Sequence, residues 1–145
     1  MHEMKQDLLK KIRALFSTQD GLSGQPATDA EINTAEKKLN VRFNEQYVEF
    51  IKLFGGAFGG IDIHAFQNGS LIGKATVTEM TEKFWSVYAD KLPEELVGAI
   101  VISDDGSGNP ILINTAGEIY IYFHEEDEAE LLYDSLEELL TKSFP

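Results

Sequence analysis

Three short apolar runs in the second half of the chain constrain its fold more than any other feature. They cover residues 99–102, 111–113 and 119–123 and consist mainly of β-branched and aromatic residues, which favour strands. Turn residues separate them, and residues 114–117 are typical of a hairpin loop. Parallel strands need a crossover of roughly a dozen residues or more. Because these gaps are shorter, the runs predict an antiparallel sheet.

Apolar spacing and capping residues predict helices on both sides of this sheet. Thr28 and Thr76 each precede a glutamate at the capping-box position, and Asn44 is a favourable helix N-cap. The predicted helices cover about 4–16, Thr28 onward, Asn44 to Gly55, Thr76 to about Asp90, and a last helix after Asp134.

Weaker strand signals lie between these helices and the sheet. Ile61, Ile63 and Ala65 alternate with polar residues, and residues 71–72 could form another short strand. Helices, then strands, then a helix indicate an α+β fold: an antiparallel sheet of about four to six strands packed with N-terminal helices and a C-terminal helix. A length of 145 residues suits one domain, so we expect a single domain over residues 1–145.

The composition bears on the cellular compartment. The chain has no cysteine, which excludes disulfides, thiolate metal sites and thiol nucleophiles and fits a reducing compartment. It has no run of about 18 apolar residues that could span a membrane, and its N-terminus lacks the pattern of a signal peptide. We therefore expect a cytoplasmic protein.

The charge is concentrated at one end of the chain. The net charge is −13, from 25 acids and 12 bases. Residues 1–91 hold 12 acids and 11 bases, whereas residues 92–145 hold 13 acids and one base, Lys142. Nucleic acids and anionic membranes are poor partners for such a chain, because both select basic patches.

Two acidic segments are the leading candidates for binding a partner. Asp104 and Asp105 lie in the turn after the first apolar run. A denser run follows the third apolar run and consists of Glu125, Glu126, Asp127, Glu128 and Glu130. Such a run is as often a solvated loop that aids solubility. Its confinement to one third of the chain favours a role in binding a basic protein.

Three aromatic residues are further candidates for the partner-binding surface. Trp85 lies off the main apolar stripe of its helix and could anchor a partner. Because aromatic side chains usually pack in cores, we favour core or sheet packing over an interface role by about two to one. Tyr120 and Tyr122 share one strand face, opposite isoleucines. We expect that face to be open to solvent or to a partner.

The motifs that suggest chemistry are incomplete. His124-Glu125 begins like a zinc-protease helix, but Glu128 stands where the second histidine belongs. The turn from Asp104 to Asn109 has glycines at two calcium-ligand positions and fails the dinucleotide fingerprint. We read it as a tight turn that needs positive φ, and we expect no catalytic residue, metal or cofactor.

The ordered set of motifs resembles the SUKH superfamily of Smi/Knr-like proteins over about residues 28–142. The resemblance rests on the helix Glu31-Ile32-Asn33-Thr34-Ala35-Glu36-Lys37-Lys38-Leu39, the helix Tyr47-Val48-Glu49-Phe50-Ile51 before Gly55-Gly56, the turn Asp105-Gly106-Ser107-Gly108-Asn109-Pro110-Ile111, Gly117-Glu118-Ile119-Tyr120, His124-Glu125, and Asp134-Ser135-Leu136-Glu137-Glu138-Leu139-Leu140. Two positions depart from the usual pattern: Asn44 stands where the family has proline, and Asn109 where it has aspartate.

The resemblance implies a non-enzymatic protein-binding domain. Bacterial SUKH proteins resemble immunity proteins that neutralise a secreted toxin, often a nuclease, and fungal relatives act as regulatory scaffolds. For this chain the resemblance implies a monomer that binds a basic toxin through its acidic surface, with an endogenous partner of a regulatory domain as the alternative.

Overall fold

The computed structural model describes residues 3–144, and His2 lies outside them. That part of the chain contains five α-helices, a two-stranded sheet and a four-stranded antiparallel sheet. The helices are α1 (Gln6–Phe16), α2 (Asp29–Leu39), α3 (Glu45–Phe54), α4 (Val77–Tyr88) and α5 (Leu136–Ser143), and the strands are β1 (Ala57–Phe58), β2 (Asp62–Ile63), β3 (Ile100–Asp104), β4 (Pro110–Ile113), β5 (Ile119–Phe123) and β6 (Glu128–Tyr133). The predicted α+β fold is confirmed.

Local side-chain contacts explain where the helices begin and end. The Thr28 side chain accepts from the Glu31 backbone N–H at 3.1 Å, and Glu31 Oε1 accepts from the Thr28 N–H at 3.0 Å. Asn44 caps α3 through the N–H groups of the following turn. Gly55 ends α3 at φ +66°, and a Cβ there would meet the Gln25 carbonyl oxygen. The predicted capping boxes at Thr28 and Thr76 and the glycine stop are therefore confirmed, whereas the last helix is capped by Ser135, one residue after Asp134.

The four-stranded sheet has the order β3-β4-β5-β6, so consecutive strands pair through short turns. The three predicted apolar runs form β3, β4 and β5. The strand predicted near Ile63 has two residues, Asp62–Ile63. The strand predicted at residues 71–72 is wrong: the Leu71 N–H donates to the Gly21 carbonyl in a turn, and its side chain is exposed.

Strands β3, β4 and β5 are largely buried on both faces of the sheet. One face carries the isoleucines of β3, β4 and β5, which join a core that includes residues of α1, α2, α3 and α5. On the other face Val101, Leu112 and Tyr122 pack with Phe84 of α4 and with Leu96. Strands buried on both faces read as near-continuous apolar runs, which explains the pattern that first indicated the sheet.

The two edges of this sheet differ. Beside β3, the His64 N–H donates to the Ile102 carbonyl at 2.9 Å, and Thr81 Oγ1 accepts from the Val101 N–H at 2.9 Å. At the other edge, β6 pairs with no strand of residues 3–144 other than β5. The chain thus covers the β3 edge and leaves β6 as the open one.

No helix among residues 3–144 is long and apolar enough to cross a membrane.

Candidate functional site

The turn between β3 and β4 is built around two carboxylates. Asp104 Oδ1 accepts from the Gly106 N–H at 2.7 Å. Asp105 Oδ1 accepts from the N–H groups of Ser107 at 2.8 Å and Asn109 at 3.1 Å. Gly106 and Gly108 have φ of +83° and +88°, so the prediction of a turn that needs positive φ is confirmed.

Asn109 completes this turn and shapes its charge. Its Nδ2 donates to Asp105 Oδ2 at 2.9 Å. This amide, followed by the Ser107 and Asn109 N–H groups, lowers the pKa of the Asp105 carboxyl below its ordinary value. An aspartate at position 109 could not donate this hydrogen bond. The asparagine, which differs from the aspartate usual at this position, is therefore compatible with the neighbouring Asp105 carboxylate.

The turn between β5 and β6 depends on Asp127. This residue adopts the left-handed conformation at φ +52°, and its Oδ1 accepts from the Tyr122 hydroxyl at 2.7 Å. Its Oδ2 lies 3.8 Å from Lys91 Nζ. Asp127 therefore ties the turn to the sheet and to the segment after α4.

The two turns touch at the same end of the sheet. The His124 N–H donates to Asn109 Oδ1 at 3.2 Å, and a Cβ on Gly108 would lie 3.4 Å from His124 Nε2. Consequently Asp104 and Asp105 lie at the same end of the sheet as Glu125. The two segments are about 20 residues apart in sequence, and the antiparallel strands between them bring them together. We call these two turns together, residues 104–109 and 124–127, the acidic end of the sheet.

The second acidic run divides between this end and strand β6. Glu125 and Glu126 are exposed in the turn, and neither forms an ion pair within the described chain. Glu128 and Glu130 lie in β6, opposite Phe123 and Ile121 of β5. The interpretation of the whole run as a loop is therefore wrong for its second half, because backbone pairing with β5 holds those residues in a strand.

The expectation of an open tyrosine face is wrong for Tyr122. Helix α4 covers that face, and the Tyr122 ring is fully buried, 5.3 Å from the ring of Phe84. Burial, followed by the hydrogen bond to Asp127, raises the pKa of Tyr122 above its ordinary value. Tyr120 is half-buried on the same face, and burial raises its pKa as well.

Trp85 is also occupied within the chain. Its Nε1 donates to the Ala99 carbonyl at 3.2 Å, and its ring packs against the cores on both faces of the sheet. These contacts agree with the packing role that we favoured for Trp85, and the residue is half-buried.

A comparison with protein families bears on this arrangement. A family model described as SMI1-KNR4 cell-wall, SUKH_5, matches residues 5–145. The chain belongs to the SUKH_5 family. The match confirms the resemblance drawn from the motifs and extends it to α1. No curated protein matches the chain.

The described part of this SUKH_5 chain contains two histidines, His64 and His124. His64 is buried, and its Nδ1 lies 2.7 Å from the Ala75 carbonyl oxygen and 3.3 Å from Asn68 Nδ2. The His124 ring makes no hydrogen bond to any residue between 3 and 144, and its backbone N–H bonds to the Asn109 side chain. Among residues 3–144 no group of three or more histidine, aspartate and glutamate side chains could hold a metal ion.

An open groove of about 840 Å³ separates α4 from the β3–β4 turn. Its walls combine Lys74 and Lys83 with Asp62, Glu79 and Asp104. The mixed charges select no single class of small ligand.

Sequence reasoning missed three features of this SUKH_5 site: strand β6, the bridging role of Asn109 and the burial of Tyr122. Ala129 and Leu131 alternate with Glu128 and Glu130, which was an available signal for the first part of β6, but the density of glutamates concealed it. No local pattern could have indicated the bridge or the burial.

Proposed function

We propose that this SUKH_5 chain is an immunity protein: as a cytoplasmic monomer of one domain, it binds a basic toxin domain one to one. The observation that carries the proposal is the contact between the two turns through Asn109 and His124. It gathers acidic side chains that the sequence separates into one end of the sheet.

The geometry of the acidic end favours binding. Backbone N–H groups hold the carboxylates of Asp104 and Asp105 in place, so little side-chain freedom is lost when a partner binds. Glu125 and Glu126 add exposed carboxylates without a neutralising base. Such a surface attracts a basic partner and accelerates its capture.

A nuclease toxin suits this surface on chemical grounds. A protein that grips a phosphate backbone is basic where it does so, and an acidic end of fixed shape can occupy that region. Inhibition then follows from steric and electrostatic occlusion, and the immunity protein itself performs no catalytic step. Membership of the SUKH_5 family supports this non-enzymatic role.

The test begins from the genes beside the one that encodes this chain. The C-terminal domain of a large secreted protein encoded there is purified, and its association with this chain is followed by stopped-flow fluorescence. We expect the association rate constant to fall by about tenfold or more between about 20 mM and about 500 mM salt, because electrostatic steering is screened. A rate constant that stays flat contradicts binding through the acidic end.

A matched pair of variants locates the contact. Glu125→Lys/Glu126→Lys reverses two exposed charges at the acidic end, and Glu94→Lys/Glu95→Lys reverses two exposed charges in the 3₁₀ turn Glu94–Leu96. The Glu95 carbonyl lies beside Asn114, at the opposite end of the sheet. We expect slower association for the first variant and an unchanged rate for the second.

The alternative is a regulatory or scaffold domain with an endogenous partner, which the cell-wall description of the family favours. It predicts no toxin-like neighbour and recovery of the same cellular protein when tagged chain is purified from its own organism. A toxin domain bound one to one excludes this alternative.

A further inference from the structure

The strand β6 leaves its outer backbone edge without a partner in the described chain. It pairs with β5 only, whereas the outer edge of β3 is closed by Thr81 and His64. An unpaired strand edge presents N–H and C=O groups that another chain can pair with. The fold thus closes one of two equivalent edges and leaves the other available.

Most side chains of β6 are exposed, whereas Ala129 and Tyr133 pack partly against the cores. Of its six residues, Glu128, Glu130, Leu131 and Leu132 are exposed, and the two leucines retain 43% and 37% of their surface. Exposed leucines on an open edge add apolar area that a pairing strand would bury.

The register with β5 sorts the β6 side chains into two faces. Glu128 and Glu130 stand opposite Phe123 and Ile121, whereas Leu131 stands opposite Tyr120. Because strand side chains alternate between faces, a strand added to β6 meets carboxylates on one face of the sheet. On the other face it meets apolar side chains.

The charge of β6 identifies the occupant. A second copy of this chain pairing edge to edge would bring β6 glutamates against β6 glutamates, and like charges on paired strands are destabilising. No lysine or arginine in β6 offsets this repulsion. A foreign strand with cationic side chains at alternate positions and apolar ones between them complements both faces.

We propose that β6 binds an extended basic segment of the protein partner as a fifth strand of the sheet. The proposal rests on the proposed function, because it assigns the partner's recognition element. The bulge between Ile119 and Tyr120 leaves Leu132 outside the regular pairing. The segment therefore pairs with Glu128, Glu130 and Leu131 on the regular part of β6.

A capped peptide of about eight residues, alternating lysine and valine, probes this edge by NMR. We expect chemical-shift changes centred on β6, and at saturation about tenfold slower hydrogen exchange of the β6 amides that do not bond to β5. As a control, the same peptide is N-methylated at alternate residues; it keeps its charge but loses the backbone N–H donors along one of its edges. Equal binding of the methylated peptide, or shifts confined to the turns, overturns strand addition.

A charge exchange tests the choice of occupant. Glu128→Lys/Glu130→Lys changes exposed side chains only and should weaken lysine–valine peptide binding by about tenfold while admitting a glutamate–valine peptide. Glu94→Lys/Glu95→Lys adds the same charge at the opposite end of the sheet and should leave that preference in place. Dimerisation through β6 at high protein concentration contradicts the assigned occupant.

These peptide measurements need no toxin, so strand addition to β6 and the immunity role can be refuted independently of each other. If a toxin binds with a salt-sensitive rate but the peptide does not pair with β6, strand addition is wrong and the immunity role stands. If the peptide pairs with β6 but the neighbouring toxin does not bind, the immunity role is wrong and the edge remains a site for basic strands.

Discussion

The hydroxyl of Tyr122 joins the core of the sheet to the acidic end. Its ring is buried between Phe84 and Tyr88, at centroid distances of 5.3 and 5.2 Å. Its hydroxyl donates to Asp127 Oδ1 at 2.7 Å. Tyr122→Phe removes this donor and keeps the ring, so it isolates one hydrogen bond without leaving a cavity.

The expected loss follows from the surroundings of the two groups. A hydrogen bond to a charged group contributes about 1.5–3 kcal/mol to stability. The Asp127 side chain is 42% exposed, and water can replace the lost donor there. We therefore expect a loss of about 1–1.5 kcal/mol, which lowers Tm by about 3–5 °C in a protein of this size.

Urea denaturation followed by Trp85 fluorescence measures the loss. Trp85 is the chain's one tryptophan and contacts both cores, so its signal reports the whole transition. Tyr120→Phe is the matched control, because Tyr120 is half-buried on the same strand face and its hydroxyl makes no hydrogen bond within residues 3–144. We expect it to change stability by less than about 0.5 kcal/mol.

The outcome is decisive in either direction. Equal losses for the two variants, or no loss for Tyr122→Phe, would show that the hydrogen bond to Asp127 contributes nothing. The same samples report the geometry of the turn, since freeing Asp127 should speed hydrogen exchange of the Glu126 N–H, which bonds to the Phe123 carbonyl.

Two further predictions concern pH and the junction of the turns. Burial raises the pKa of Tyr47 and of Tyr122 above the ordinary 10.0, so as the pH rises these tyrosines ionise in the unfolded chain before they ionise in the folded one. The urea concentration at the unfolding midpoint should therefore stay constant up to about pH 10 and decrease above it. The decrease should be less steep in Tyr122→Phe. Asn109→Ala removes both the amide donor to Asp105 and the oxygen that accepts from the His124 N–H, so hydrogen exchange at the Ser107 and His124 amides should accelerate. Unchanged exchange at both would refute the bridging role.

Much of the fold could be predicted because its signals are local. The caps at Thr28 and Asn44, the stop at Gly55 and the positive-φ glycines of the β3–β4 turn depend on residues close in sequence. Each acts through backbone geometry that neighbouring residues determine. The predictions that depended on such signals are confirmed.

The errors occur where pairing over distance overrides local preference. The glutamates of β6 favour solvent, and only the hydrogen bonds to β5 hold them in a strand. Residues 71–72 look like a strand, but the Leu71 N–H bonds to Gly21 instead. Tyr122 looked exposed by alternation, and α4 covers it.

The sequence by itself determined the α+β class, the approximate helix boundaries, the β3–β4 and β4–β5 turns and the concentration of acids after residue 91. These features depend on composition and on short-range geometry. Only the tertiary structure decided that the two acidic turns meet through Asn109 and His124, that α4 covers the tyrosine face, and that β6 is the open edge. Those outcomes depend on which distant elements pack together, and that choice arises from burial of the whole core rather than from any local segment.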